Sequence, residues 1–122
     1  DRANRLALDV TDACLAEGLS DKGYMMYEKK GGRTTGHASW WGQIETMIAC
    51  VNAWQISGND VYLQSADTVW TFVKDCMIDR EYGEWYSDCF DGEPKKDTPK
   101  VSMWRCPYHT VRLRVEIHNR LK

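Results

Sequence analysis

The sequence predicts a mainly helical fold, built from αα-hairpins with two short β-hairpin loops. Three observations carry this. Residues 60–77 hold one clean amphipathic stripe, residues 40–57 are apolar nearly all round, and two loop segments resemble each other at an offset of 60 residues (Gly23 and Gly83). A helix with a single apolar stripe packs on a core, whereas one apolar on every side is buried on most of them. A helix–hairpin–helix unit that recurs is the signature of stacked αα-hairpins.

Each element has its own local signals. Residues 2–18 repeat Ala3, Leu6, Ala7, Val10, Ala13 and Cys14 at helical spacing, with Gly18 as the stop. The buried helix contains Trp40, Trp41, Ile44, Met47, Ile48, Val51 and Trp54. Across the turn Gly58-Asn59, Asp60 is placed to cap a helix carrying Tyr62, Ala66, Val69, Trp70, Val73, Cys76 and Met77 on one face. The two loop segments, Asp21 to Gly32 and Asp79 to Gly92, each have a glycine, a short aromatic stretch and a second turn signal. They predict hairpins near 23–34 and 83–95. The last segment is ambiguous. Pro107 suits a first helical turn, but Val111, Leu113, Val115 and Ile117 alternate with charged residues and His118, as a strand would. Helix is the favoured reading.

Composition excludes several classes. Hydrophobic residues are 43% and charged residues 28% of 122, the profile of a globular chain. A net charge of −2 with no Lys/Arg stripe argues against a nucleic-acid partner. No apolar run reaches the ~20 residues that span a bilayer, so no membrane partner is expected. The first residues carry charges throughout and do not read as a leader. Five cysteines without CxxC spacing suit reduced thiols, and hence a cytoplasmic location. No metal-ligand spacing is present, and neither metal nor cofactor is expected.

Three constellations carry chemistry. In Trp40-Trp41-Gly42-Gln43-Ile44-Glu45, Trp41 and Glu45 share a helical face. An aromatic plate beside a carboxylate can stack on a sugar's C–H face and accept from its hydroxyls, although tryptophans are more often core. The second, Gly83-Glu84-Trp85-Tyr86, reads as structural. In the third, Trp104-Arg105-Cys106-Pro107-Tyr108-His109, a helix opened by Pro107 would project His109, Arg112 and Glu116 from one face. A histidine beside an arginine is held neutral by the neighbouring cation and can abstract a proton next to a carbonyl, with the arginine stabilising the enediolate. A solvated histidine beside an Arg112–Glu116 pair fits the same residues equally well. His37 and His118 read as solvated. Cys106 lies close to His109, but no third group supports a nucleophilic pair.

Taken in order, Trp40-Trp41-x-Gln43-x-Glu45, Asp79-Arg80-x-Tyr82-Gly83-Glu84-Trp85 and Trp104-x-Cys106-Pro107-Tyr108-His109-x-x-Arg112 resemble the N-acylglucosamine 2-epimerase superfamily. Within it they resemble most the cellobiose and mannobiose 2-epimerases. Gly42 departs from the proline usual there, which implies a looser helix start. The resemblance implies an (α/α)6 barrel, of which residues 1–122 would be the C-terminal part, about two αα-hairpins. Twelve helices of ~12 residues need on the order of 200 residues, and four fit here. It further implies that His109 is one of two acid/base histidines inverting C2 of a reducing-end sugar through a cis-enediolate. Arg112 would support it, Trp41 and Trp104 would stack on sugar rings, and Glu45 would hold hydroxyls. Trp40, Tyr108 and Glu116 would stand behind these. The partner histidine would precede this chain, so the chain alone would be inactive and would self-associate through exposed barrel-core surface. The alternatives are a non-catalytic carbohydrate-binding or interaction module, an N-acylglucosamine 2-epimerase, or an aldose–ketose isomerase of the same fold.

Overall fold

A computed structural model describes residues 1–122. Its elements, in chain order, are α1 (Arg2–Gly18), β1 (Lys29–Lys30), β2 (Arg33–Thr34), β3 (His37–Ser39), α2 (Trp40–Ser57), α3 (Val61–Phe72), β4 (Asp88–Phe90), β5 (Glu93–Pro94) and α4 (Tyr108–Arg120). Helix α2 is the centre and touches all three other helices. It buries Ile44, Met47, Ile48, Cys50, Val51 and Ala53, as its all-round apolar sequence requires. The final segment resolves as helix, since Pro107 sets the first turn and Leu113 packs on the core.

The repeat is visible in the backbone. Leu19 bridges Met25 and Met26 N–H donates to Gly18 O in the first copy; Ile78 bridges Trp85 and Tyr86 N–H donates to Met77 O in the second. Both hairpins then close on two residues with positive φ, Gly31-Gly32 and Asp91-Gly92. Two successive left-handed residues give a turn whose twist matches that of the strands it joins. Strand β3 adds a pairing that local pattern does not signal: it runs antiparallel to β4 and ties the two copies together.

Three expectations need correction. The stripe read on α1 faces outward, with Leu6 62% and Val10 54% exposed. Leu8 and Leu15 instead meet the cluster of Cys50, Ala53 and Tyr62. The helix carries two apolar faces, and the bulkier leucines of the second one win the core. Asp60 occupies the cap position of α3, but its carboxylate accepts from Trp54 Nε1 (3.1 Å), and Asn59 Oδ1 takes the Val61 N–H instead. The helix read as ending at Met77 is α-helical to Phe72, and residues Val73–Met77 widen into π-helix. Between α3 and α4 lies an open groove of about 910 Å³, with Leu63, Trp70, Leu113 and Ile117 among its lining. Apolar side chains are thus exposed on α1 and line this groove, while α2 is mostly covered, Trp41 near its start excepted.

Candidate active site

The site forms where the first turns of α2 and α4 meet. Ser39 leaves β3 in extended conformation, and its hydroxyl accepts the Gly42 N–H (3.3 Å), capping α2. A proline at residue 42 has no N–H for that bond, so glycine here gives a capped start rather than a loose one. One turn on, the fully buried Gln43 amide accepts from Met25 N–H (2.8 Å) and donates to Met25 O (2.8 Å) and Ser39 O (3.0 Å). This clamp fixes the first hairpin segment to α2.

Glu45 then points at α4. Its Oε1 lies 2.9 Å from His109 Nδ1, and its Oε2 accepts from Arg112 Nη1. Each of these three side chains is about one-third exposed. Burial raises the Glu45 carboxyl, but the bonds from Arg112 and His109 outweigh it, and the group sits below its usual range. The bond to Glu45 raises the Arg112 guanidinium above its own. The carboxylate therefore stays ionised at neutral pH and accepts the Nδ1 proton; in the neutral form of the imidazole this puts the lone pair on Nε2. In the sequence reading the arginine acts on the histidine directly. In the structure Glu45 stands between them and sets the tautomer, while Arg112 anchors Glu45.

Aromatic rings wall the imidazole. Trp41 and Trp40 lie with centroids 6.3 Å away, tilted and edge-on respectively, and Tyr108 lies at 5.0 Å. Trp41, Glu45, His109 and Arg112 thus converge, with Trp40 and Tyr108 beside them. Trp104 does not join them: it is 87% exposed at the tip of a turn three residues before α4. Glu116 pairs with Arg120 (2.9 Å), whose guanidinium also bonds Asn52 and Gln55 of α2. The Arg112–Glu116 pair is absent because Arg112 is taken by Glu45.

His37 is not solvated. Its Nε2 lies 2.7 Å from Asp88 Oδ1, and its ring sits between Phe90 (4.7 Å) and Tyr27 (4.6 Å). Tyr27 meets Trp41 edge-on at 6.1 Å, so aromatic contacts run from this second histidine–carboxylate pair to the first. Only the β3–β4 pairing brings His37 to Asp88, 51 positions away, and nothing local to either residue signals it. Arg105, which the sequence reading gives no role, is buried between exposed Trp104 and exposed Cys106. None of the five cysteines is paired; burial pushes Cys50 up to about 11 and Cys89 up to about 12, which keeps both protonated.

The first turns of α2 and α4 thus bring a histidine, a carboxylate, an arginine and tryptophans to one end of the helices. The chain belongs to the N-acylglucosamine 2-epimerase (GlcNAc 2-epimerase) family, which it matches over residues 1–112. It is 43% identical over 83 residues to a cellobiose 2-epimerase of Ruminococcus albus, covering 66% of this chain and 21% of that protein. It is 37% identical over 110 residues to one of Bacteroides fragilis, covering 86% and 28%. A D-mannose isomerase of Marinomonas mediterranea is 27% identical over 93 residues, 68% of this chain and 24% of that protein. The crystal structure of a sugar epimerase from a ruminal bacterium superposes with a TM-score of 0.89 at 33% identity, over 96% of this chain and 30% of that one. The four helices are thus part of an (α/α)6 barrel, and the chain spans less than a third of these relatives.

Proposed function

We propose that residues 1–122 are the C-terminal part of a sugar 2-epimerase that inverts C2 of the reducing-end glucose or mannose of a β-1,4-disaccharide. The observation that carries this is the bond from His109 Nδ1 to Glu45, which leaves Nε2 free to act as a base. In the open-chain sugar the aldehyde acidifies C2–H. His109 takes that proton, the electron pair moves onto O1 as a cis-enediolate, and a proton returned on the opposite face gives the epimer. A second histidine, from the rest of the barrel, serves that opposite face. Trp41 stacks on a sugar ring beside His109, and Trp104, displayed on its exposed turn, offers a second stacking face. Five unpaired cysteines suit a reducing, cytoplasmic setting.

In the whole protein, His109→Ala lowers turnover of cellobiose by about 10²–10⁴-fold with an unchanged melting curve. Near-normal turnover would leave His109 an ordinary surface residue. Product formed in D₂O carries deuterium at C2. The isolated 122-residue chain gives no epimer detectable by chromatography, and any turnover by it would remove the need for a second histidine. The D-mannose isomerase relative favours one competing reading, reprotonation at C1 to give a ketose. A 2-ketose product in place of the 2-epimer would decide for it. Sugar binding without any turnover by the whole protein would decide for a binding module.

A further inference from the structure

Arg105 is only 4% exposed, in the long excursion between β5 and α4. Its Nη2 donates to Trp85 O (2.6 Å), its guanidinium lies 5.0 Å over the Trp40 ring, and Glu84 approaches to 3.8 Å. Its Nε–H is buried with no acceptor. Burial pulls the guanidinium below its usual value, opposed by the attraction of Glu84 and Asp88. As a packing choice this is poor, because a flexible apolar residue of similar volume would fill the space without burying a charge or an orphan donor.

What Arg105 does is fix a turn. Its backbone bonds Ser102 in both directions (3.0 and 3.2 Å), closing four residues whose tip, Met103 and Trp104, is 88% and 87% exposed. The Arg105 side chain runs from the base of this turn to Trp40, the ring set edge-on to His109. One residue thus links the exposed tryptophan to the wall of the imidazole.

We propose that Arg105 is a positioning residue for sugar binding: it bolts the turn that displays Trp104 onto Trp40 and so sets the spacing between Trp104 and His109. This rests on the reading of Trp104 and His109 as parts of a sugar site. Because Arg105 acts on ring placement rather than on the proton, its loss weakens binding more than the chemical step. Stability, which gains little from a buried charge, barely responds.

The test is steady-state kinetics on cellobiose, thermal melting and amide exchange, using the whole protein with Arg105→Met, Arg105→Lys, Trp104→Ala and the Arg105→Met/Trp104→Ala double variant. Arg105→Met raises KM about 3- to 10-fold, the scale of one aromatic contact, with a smaller fall in kcat. Its melting temperature stays within about 2 °C of wild type or rises. Arg105→Lys, which keeps the cation, recovers part of the KM. In the Trp104→Ala background Arg105→Met adds nothing further to KM. Exchange at residues 102–105 quickens in Arg105→Met whether or not the protein turns over sugar. Unchanged exchange there, or a proportional loss of melting temperature and activity with KM unmoved, overturns the proposal. A raised KM for Trp104→Ala on which Arg105→Met still adds in full leaves the sugar site standing and overturns the positioning role alone. A wild-type KM for Trp104→Ala overturns both together.

Discussion

The two copies of the helix–hairpin–helix unit differ most in how the hairpin reaches its second helix. In the first copy the three residues of β3 lead straight from Gly36 to α2, and the last of them, Ser39, caps that helix. In the second, residues 95–107 wander between β5 and α4, and Pro107, at the N-cap of α4, provides no side-chain cap. The turns differ in the same sense. In the first copy Ser20 Oγ, a neutral acceptor, takes the Tyr24 N–H (3.1 Å). In the second, the nearly buried Asp79 carboxylate accepts from the Glu81 and Tyr82 N–H groups (2.9 and 3.1 Å) and from Lys100, whose ammonium also bonds Gly83 O (2.9 Å). The first turn closes on a neutral hydroxyl four residues away, the second on a carboxylate paired with an ammonium 21 residues away. The helix starts carry the consequence, because the second helical residue is Trp41 in α2 and His109 in α4. The locally capped copy supplies the wall and the carboxylate, and the copy with the long excursion supplies the base and the exposed Trp104.

Breaking the bond between the copies gives the largest effect. Glu45→Gln replaces an acceptor with an amide that can offer N–H to Nδ1, and it removes the anchor of Arg112. In the whole protein kcat falls by about 10- to 100-fold, a fraction of the ~10²–10⁴ that a general base contributes. Little change in kcat would mean that His109 is oriented by its aromatic walls alone.

Next in size is the second turn. The bond from Lys100 holds the Asp79 carboxyl well below the usual range; burial opposes it, and the backbone N–H groups of Tyr82 and Glu81 add to it. A group whose pKa is depressed by folding contributes stability that is full above its unfolded value, about 3.9, and fades as pH falls towards the folded one. Asp79→Asn therefore lowers the melting temperature most at neutral pH, and the deficit shrinks as the pH drops below about 4. Ser20→Ala, the matching change in the first copy, gives a smaller deficit that does not vary with pH. Equal, pH-independent deficits would remove the distinction between the two turns.

The smallest effect is at the cap. Ser39→Ala removes the acceptor for Gly42 N–H and lowers stability by about 1 kcal/mol, measured by urea unfolding. No loss would mean that Gln43, which also bonds Ser39 O, fixes the helix start by itself.

This division matches what the sequence makes legible. The bounds of α1 and α2, the glycine turn at Gly58 and the two hairpins follow from local signals, since glycines and apolar spacing act over a few residues. The convergence of Glu45 with His109 and Arg112 follows only from the family resemblance and the helical face that 109 and 112 share. What stays hidden is long-range. The outward face of α1 depends on which of two apolar stripes finds a partner. The burial of Arg105, the Lys100–Asp79 bond and the His37–Asp88 pair depend on residues 20 to 51 positions apart meeting in space. Charged and polar side chains give no periodic signal by which such meetings can be read.

Whether Glu45 fixes the tautomer of His109 can be read by nitrogen-15 NMR of the histidine ring in the whole protein. At a pH where the imidazole is neutral, the spectrum shows a protonated Nδ1 and a bare Nε2, with the preference lost in Glu45→Gln. A bare Nδ1 in the wild-type protein, or a ring indifferent to Glu45→Gln, would contradict it.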